Sequence, residues 1–218
     1  MVDTRKVREL AILLPGDEPD DLDPIDGIPK DKTTVAGRLI SGEAWTRVKL
    51  TGCTITRCWL VNADLASIDF TEVTFDRCVF RGCSLIGAHL TESALKNVIF
   101  ENCRLDYATF TTVRTTGPVA ILGSSLTETV FDRCKLNALV VDSCKLNAPT
   151  FTACDMRGTD LRGNDLSKTI GVTTSLRGSI LSEDQVIGFT EAVTRELELT
   201  IKEPSTEALK QPEQGENT

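Results

Sequence analysis

The sequence is poor in the residues that most often carry chemistry. It has one histidine, His89, so a histidine-dependent triad or a histidine-rich metal site has no second member. Aromatic residues make up only 5% of the chain and do not interleave with clustered Lys and Arg, which argues against direct nucleic-acid binding through stacked bases. No apolar run approaches the 18 or so residues that span a bilayer, and Ala11–Leu14 is too short for the apolar core of a secretory signal. There is no CxxC pair and no glycine-rich phosphate loop. These absences set the expectation of a soluble, cytoplasmic, non-enzymatic protein with no catalytic residues, no metal, no cofactor and no membrane partner.

What the sequence does have is a spacing. In steps of five from Leu50, every position to Phe110 is Leu, Ile or Phe: Leu50, Ile55, Leu60, Leu65, Phe70, Phe75, Phe80, Leu85, Leu90, Leu95, Phe100, Leu105 and Phe110. Two residues before each sits a smaller side chain, among them Cys53, Cys58, Ala63, Cys78, Cys83, Ala88 and Cys103. On a helix turning about 100° per residue, a residue repeated every five lands all round the cylinder, so no face forms. In one long strand an odd period sends successive members to opposite sides of the sheet. A short extended piece, with the small residue in, the next out and the large one in, followed by a two-residue corner, satisfies the spacing. Each five residues is then one side of a winding tube, and successive turns must stack to share a core. Like residues at twenty, such as Phe80 with Phe100 and Cys58 with Cys78, favour four sides per turn.

After Thr115 the pattern breaks at Thr116-Gly117-Pro118 and resumes one residue late with Ile121, Leu126, Phe131, Leu136, Val141, Leu146, Phe151, Met156, Leu161 and Leu166. The extra residue reads either as a protruding loop, which makes Thr116, Gly117 and Pro118 partner-binding candidates, or as a silent bulge at a corner. The two registers together predict about seven coils.

All eight cysteines, residues 53, 58, 78, 83, 103, 134, 144 and 154, fall on the small inward position. Stacked thiols are near enough in principle for a redox pair or metal, but the even placement is that of small core hydrophobes.

These residues resemble the pentapeptide-repeat family, in which Ala-Asp/Asn-Leu is followed by two polar residues. Ala63-Asp64-Leu65-Ala66-Ser67, Thr159-Asp160-Leu161-Arg162-Gly163 and Asn164-Asp165-Leu166-Ser167-Lys168 carry the likeness. The resemblance implies an all-β fold, a right-handed quadrilateral β-helix, with a core that includes Leu50, Leu65, Phe70, Phe75, Phe80, Leu85, Phe100, Leu105, Phe110, Leu126, Phe131, Leu136, Leu146, Phe151, Leu161 and Leu166. The ending Leu176–Leu181 running into a helix, and Val119–Gly123 after a mid-rod break, are similar to the quinolone-resistance (Qnr) and MfpA-type members. Those members imply a rod that imitates DNA, binds DNA gyrase or topoisomerase IV, protects it from a poison and dimerises through its C-terminal cap. The alternative is a general protein-interaction scaffold or regulator with no topoisomerase target.

The ends of the chain read differently from the repeat. Residues 1–37 form an N-terminal extension in which Asp3–Leu14 suggests a short amphipathic helix ended by Pro15 and Gly16, and 17–26 a flexible acidic linker. The repeat occupies 38–181, with an imperfect first coil or cap near residue 38. From Ser182, with Gln185 three residues on, a capping box opens a helix on which Val186, Phe189, Val193 and Leu197 recur at helical spacing. Residues 182–203 are therefore expected to cap the last coil, with Val186, Phe189 and Val193 against it and Ile187, Ala192 and Leu199 outside, joining two copies as a homodimer. Leu197, Leu199 and Ile201 alternate as in a short strand, and 204–218 reads as a disordered tail.

The net charge of −8 lies at the ends: residues 1–47 hold 7 basic and 10 acidic groups and 182–218 hold 3 and 9, whereas the rod between them is near neutral. With twenty residues per coil, Arg57, Arg77, Lys96, Arg114, Lys135, Arg157 and Arg177 collect on one side, and Asp69, Glu72 and Glu92 on a mildly acidic one. Both groups are candidates for contact with a protein partner.

Overall fold

The architecture follows from the five-residue spacing. The computed structural model describes residues 3–16 and 18–203, so the tail expected over 204–218 lies outside the described residues. The chain winds into a parallel β-solenoid of about six turns rather than seven. Side one is centred on Val35, Ile55, Phe75, Leu95, Leu136 and Met156, and side two on Ile40, Leu60, Phe80, Phe100, Ile121, Val141 and Leu161. Side three is centred on Trp45, Leu65, Leu85, Leu105, Leu126, Leu146 and Leu166, and side four on Leu50, Phe70, Leu90, Phe110, Phe131 and Phe151. All of these side chains are buried. Sides one and two share the strands Thr54–Val61, Thr74–Arg81 and Ala94–Glu101, each bent at a left-handed residue, Arg57, Arg77 or Asn97. Side four is a six-stranded parallel sheet, and side three is held by single bridges such as Asp64 to Ser84 and Ser84 to Arg104.

Stacking in register at twenty places like on like. The rings of Phe80 and Phe100 lie 4.6 Å apart at 21°, those of Phe110 and Phe131 4.7 Å apart at 13°, and those of Phe131 and Phe151 5.0 Å apart at 11°. Each fully buried Leu or Phe contributes roughly 1.5–3 kcal/mol of transfer free energy, so these columns are the main stabilising element.

The small inward position does a second job. Every cysteine thiol reaches two carbonyls, one two residues back and one in the coil below. Cys78, for example, donates to Ile55 O at 3.2 Å and to Asp76 O at 3.5 Å, and Cys103 to Phe80 O at 3.4 Å and Glu101 O at 3.5 Å. Ser93 uses its hydroxyl in the same way, and Thr129 and Thr159 reach the carbonyl of the coil below, Thr159 Oγ1 lying 2.7 Å from Leu136 O. A small side chain with one donor therefore fits the corner in both volume and hydrogen bonding.

The one-residue insertion is absorbed at a corner and does not protrude. Ala94 pairs with Arg114 at an offset of twenty, Val98 with Val119 at twenty-one, and the ladder resumes at twenty beyond. Between them Thr116 N–H donates to Leu95 O at 2.8 Å and Val98 N–H to Pro118 O at 3.3 Å. A Cβ on Gly117 would come within 2.8 Å of the Lys96 side chain, so the bulge sits tight on the coil beneath it.

Five expectations for the ends are corrected. Asp3–Leu14 is a β-hairpin, not a helix: β1 (Thr4–Val7) pairs antiparallel with β2 (Leu10–Leu13) through a turn at Arg8, whose φ is 54°. Residues beyond it, read as a linker, lie on the rod. Pro19–Asp21 forms one 3-10 turn, Leu22 packs on the hairpin cluster, and Ile25 N–H donates to Leu39 O at 2.9 Å while Leu39 N–H donates to Asp23 O at 3.0 Å. Coil pairing begins before residue 38, with Thr34 opposite Thr54. At the other end a short helix α1 (Val172–Ser175) and α2 (Val186–Glu196) close the stack, and 199–203 form no strand. Gln185 Oε1 accepts the Ser182 N–H at 2.8 Å, while its Nε2 donates to Leu161 O and Asn164 O at 2.8 and 2.7 Å, so the side chain closes the last coil as well as the helix start. On α2 it is Ala192 that is fully buried, with Phe189 and Val193 packed beside it. Val186 and Leu197 face outward.

Two substitutions separate corner strain from coil packing. Thr112 is β-branched at φ 55° on an exposed corner, so Thr112→Gly is expected to raise stability by up to about 1 kcal/mol in chemical denaturation. Gly171, at φ 84°, leaves no space: an added Cβ would lie 1.8 Å from Phe151 O, so Gly171→Ala is expected to cost roughly 3 kcal/mol or more in the same assay.

Candidate interaction surfaces

A filled tube offers its outside, and that outside is set by the residue before each buried centre and the two after it. Side one carries the basic group. Strand pairing stacks Asp76 under Lys96 and Ala94 under Arg114, and bridges continue through Lys135 to Asp155. Arg57 and Arg77 occupy equivalent left-handed corners of adjacent coils, at φ 52° and 54°. Arg57, Lys96, Arg114, Lys135, Arg157 and Arg177 are exposed. Two of the group are engaged locally: Arg157 grips Asp155 through two bonds of 2.8 and 2.6 Å, and Arg77 Nε lies 3.5 Å from Asp76.

The acidic group is thinner. Asp69 is taken up by Lys49 at 3.5 Å and by the Thr71 hydroxyl at 2.7 Å, which leaves Glu72 and Glu92 as exposed carboxylates at stacked corners of side four. Thr116 is exposed on the corner above Lys96, with Gly117 and Pro118 half-buried beside it. The cysteines are all buried and free, and burial pushes Cys144 up to about 11 and raises Cys78 as well, which keeps those two thiols protonated rather than nucleophilic.

The C-terminal helix presents an apolar surface. Val186, Ile187, Leu199 and Ile201 are 56%, 75%, 56% and 79% exposed, and with Thr190 and Thr194 they line an open groove of about 650 Å³. The inner flank of α2 is tied down: Arg195 donates to Ser167 O at 2.5 Å and Thr169 O at 2.8 Å, and Glu196 accepts the Val172 N–H at 2.8 Å.

One surface escaped the sequence reading. On side two the outward column is Trp59, Val79, Ile99, Ala120 and Val140, all apolar and all buried in one cluster with Val7 and Ile12 of the hairpin, against which Leu10, Leu14, Leu22 and Leu39 also pack. The twenty-residue spacing of Trp59, Val79 and Ile99 was the available signal. A rim of ion pairs surrounds the contact: Arg5 to Glu101 at 2.7 Å, Arg8 to Asp142 at 3.0 Å, and Arg162 to Glu9 at 2.9 Å, with Arg162 also held by the buried Asp160 at 2.5 Å. The guanidinium of Arg81 lies 4.8 Å over the Trp59 ring.

Comparison with known proteins adds three findings. Residues 53–129 match the family model described as a pentapeptide repeat region. Among solved structures, a trypsin-treated variant of QnrB1, a plasmid-mediated fluoroquinolone resistance protein, superposes with a TM-score of 0.59 at 10% identity, covering 83% of this chain and 97% of that one. HetL, a pentapeptide repeat protein involved in heterocyst differentiation regulation from the cyanobacterium Nostoc sp. strain PCC 7120, matches at a TM-score of 0.30 and 18% identity over 70% of this chain and 91% of its own. No curated protein sequence matches. At these identities the likeness is one of fold. No helix among the described residues is long and apolar enough to cross a membrane.

The rim pairs make the hairpin contact sensitive to acid. Hydrogen bonding from Arg5 holds the Glu101 carboxyl below the ordinary glutamate range, against an opposing effect of burial and with help from Arg81. A depressed carboxylate contributes its full stabilisation above the unfolded value of about 4.3 and loses it as pH falls through the lower folded value. Acidification below about pH 4 is therefore expected to loosen the hairpin and shift the emission of Trp59, while Trp45 stays inside the rod; an Arg5→Leu chain should show a smaller acid-dependent shift.

Proposed function

We propose that this pentapeptide-repeat rod is a non-enzymatic binding protein that docks on a type II topoisomerase, DNA gyrase or topoisomerase IV, in the place of DNA and shields it from a poison such as a quinolone. The observation that carries this reading is the fold likeness to a fluoroquinolone resistance protein along nearly the whole of that protein's length. A filled solenoid of about six turns, roughly 30 Å of stacked strands, supports it, since such a body contacts partners only through its outside. The exposed apolar flank of α2 supports the association of two such rods end to end, with Val186, Ile187 and Leu199 meeting their counterparts in a second copy.

A second reading is favoured by the charge. Side one is basic and the rod as a whole near neutral, a pattern that suits an acidic protein partner better than it suits a saddle built for a polyanion. On that reading the protein is an interaction scaffold or regulator with no topoisomerase target, and Arg57, Lys96, Arg114, Lys135 and Arg177 form its contact surface.

A supercoiling and cleavage assay with gyrase separates the two. Inhibition of supercoiling, together with fewer quinolone-stabilised breaks, is the outcome expected of the first reading; no change in either at micromolar protein leaves only the second. The assembly is tested by light scattering. The unaltered chain is expected at twice its formula mass, and the double substitution Ile187→Glu with Leu199→Glu, at exposed positions outside the coil packing, is expected to return it to the mass of one chain.

A further inference from the structure

Side two is unlike the other three on its outside. Just before each buried centre, those sides carry residues such as Thr74, Lys135, Asp64, Ser84, Asp69 and Thr150, and the coil winds equally well with them. Side two carries Trp59, Val79, Ile99, Ala120 and Val140, which are 4%, 1%, 0%, 0% and 2% exposed. The winding pattern resides in the inward positions and does not require this column. Apolar side chains stacked over five successive turns form a surface that must be covered.

The cover is separable from the rod. Among the described residues no backbone-to-backbone hydrogen bond joins the hairpin to a coil; its own strands pair with each other, and its ties to the rod run through side chains. Leu13 N–H donates to Asn97 Oδ1 at 3.2 Å, Arg8 donates to Arg162 O at 3.3 Å, and the rim ion pairs supply the rest. An isolated two-stranded hairpin is marginal in water, so its docking is an equilibrium of its own, distinct from the stacking of coils. It leaves the rod through Pro15 and Gly16, the latter at φ 111° in open space.

We infer that the hairpin is a displaceable occupant and that side two is a docking face for a partner protein that presents an amphipathic β-ribbon. The tenant displays the chemistry such a partner needs. Aliphatic side chains in the places of Val7 and Ile12 fill the column, basic groups in the places of Arg5 and Arg8 meet Glu101 and Asp142, and an acidic group at the turn, in the place of Glu9, meets Arg162. Backbone hydrogen bonding to the coils is not needed, so recognition rests on shape and on three charges of fixed order along the rod. This face lies apart from the basic side and from α2, and it does not depend on the topoisomerase reading.

The test uses the full chain and a labelled synthetic peptide of residues 3–14 as the probe. Ile12→Asp unseats the chain's own hairpin without altering a coil residue, so the peptide is expected to bind that chain roughly tenfold or more tightly than the unaltered one. Adding the outward substitution Ala120→Lys, in the coil between Glu101 and Asp142, to the Ile12→Asp chain is expected to remove the binding. In the unaltered chain, the amides of the hairpin are expected to exchange with solvent roughly a hundredfold faster than those of Phe80 and Phe100 in the coil ladder. Three results overturn the inference: equal peptide binding with and without Ile12→Asp, hairpin amides that exchange as slowly as the ladder, or a dimer of the unaltered chain that Ile12→Asp dissociates. The last would identify the occupant as the hairpin of a second copy.

Discussion

The tube is filled by packed apolar side chains, so the carbonyls that line it are met by donors the coil itself supplies. A buried, unpaired carbonyl costs about 1–3 kcal/mol, and a corner that recurs every five residues would repeat that cost along the whole rod. Backbone N–H groups of the neighbouring coil meet many of these carbonyls, as Gly82 N–H meets Glu101 O and Glu72 N–H meets Thr91 O, and the small inward residue adds a second donor at many corners. Its thiol or hydroxyl reaches the carbonyl of the large residue in the coil below and the carbonyl two residues back in its own coil. Cysteine combines this with the volume of a small hydrophobe, which accounts for eight thiols in a chain where burial holds Cys78 and Cys144 in their protonated form.

The same requirement governs the two ends, where a stacked coil exposes a ladder with nothing beyond it. At the start the chain lays residues 23–25 against Leu39 as a partial extra rung. At the finish no further rung is available, and side chains take over: Asn164 bonds Val141 O and Leu161 O, Gln185 bonds Leu161 O and Asn164 O, and Arg195 bonds Ser167 O and Thr169 O. The flank of α2 used for this closure has Ala192 at its centre, with Phe189 and Val193 packed beside it. The large apolar residues Val186, Ile187 and Leu197 are therefore left on the opposite flank, facing solvent.

What was legible in the sequence is what repeats. The inward columns, the register shift at Gly117 and the helix after Ser182 all leave a periodic trace. The outward column of side two is equally periodic, yet it is invisible when outward positions are searched only for charge, because Trp59, Val79, Ile99 and Val140 carry none. The hairpin has no such trace. Val7, Leu10 and Leu14 stand at three- and four-residue spacing and imitate a helical face, while the turn is made by Arg8 in a left-handed conformation where a glycine or asparagine would have marked it. The helix was excluded by tertiary context: only an extended ribbon brings Ile12 onto the column while Arg5 reaches Glu101 and Glu9 reaches Arg162. On α2 the spacing places Phe189 and Val193 correctly against the coil, and only Val186 and Ala192 exchange the positions it predicts, Ala192 being buried and Val186 exposed.

The hairpin also runs lengthwise. Its open end meets the rod at the level of Asn97 and Glu101 and its tip at Asp142 and Arg162, two and three coil spacings or about 10–14 Å away, so it crosses the joints between the turns it covers. Turns joined only to their neighbours flex at each joint like the segments of a spring. A splint along one flank makes that compliance directional: bowing toward or away from side two must stretch or compress the ribbon, whereas bowing in the perpendicular plane leaves it unstrained. The plane in which this rod bends is therefore chosen by a dozen residues that take no part in its repeat.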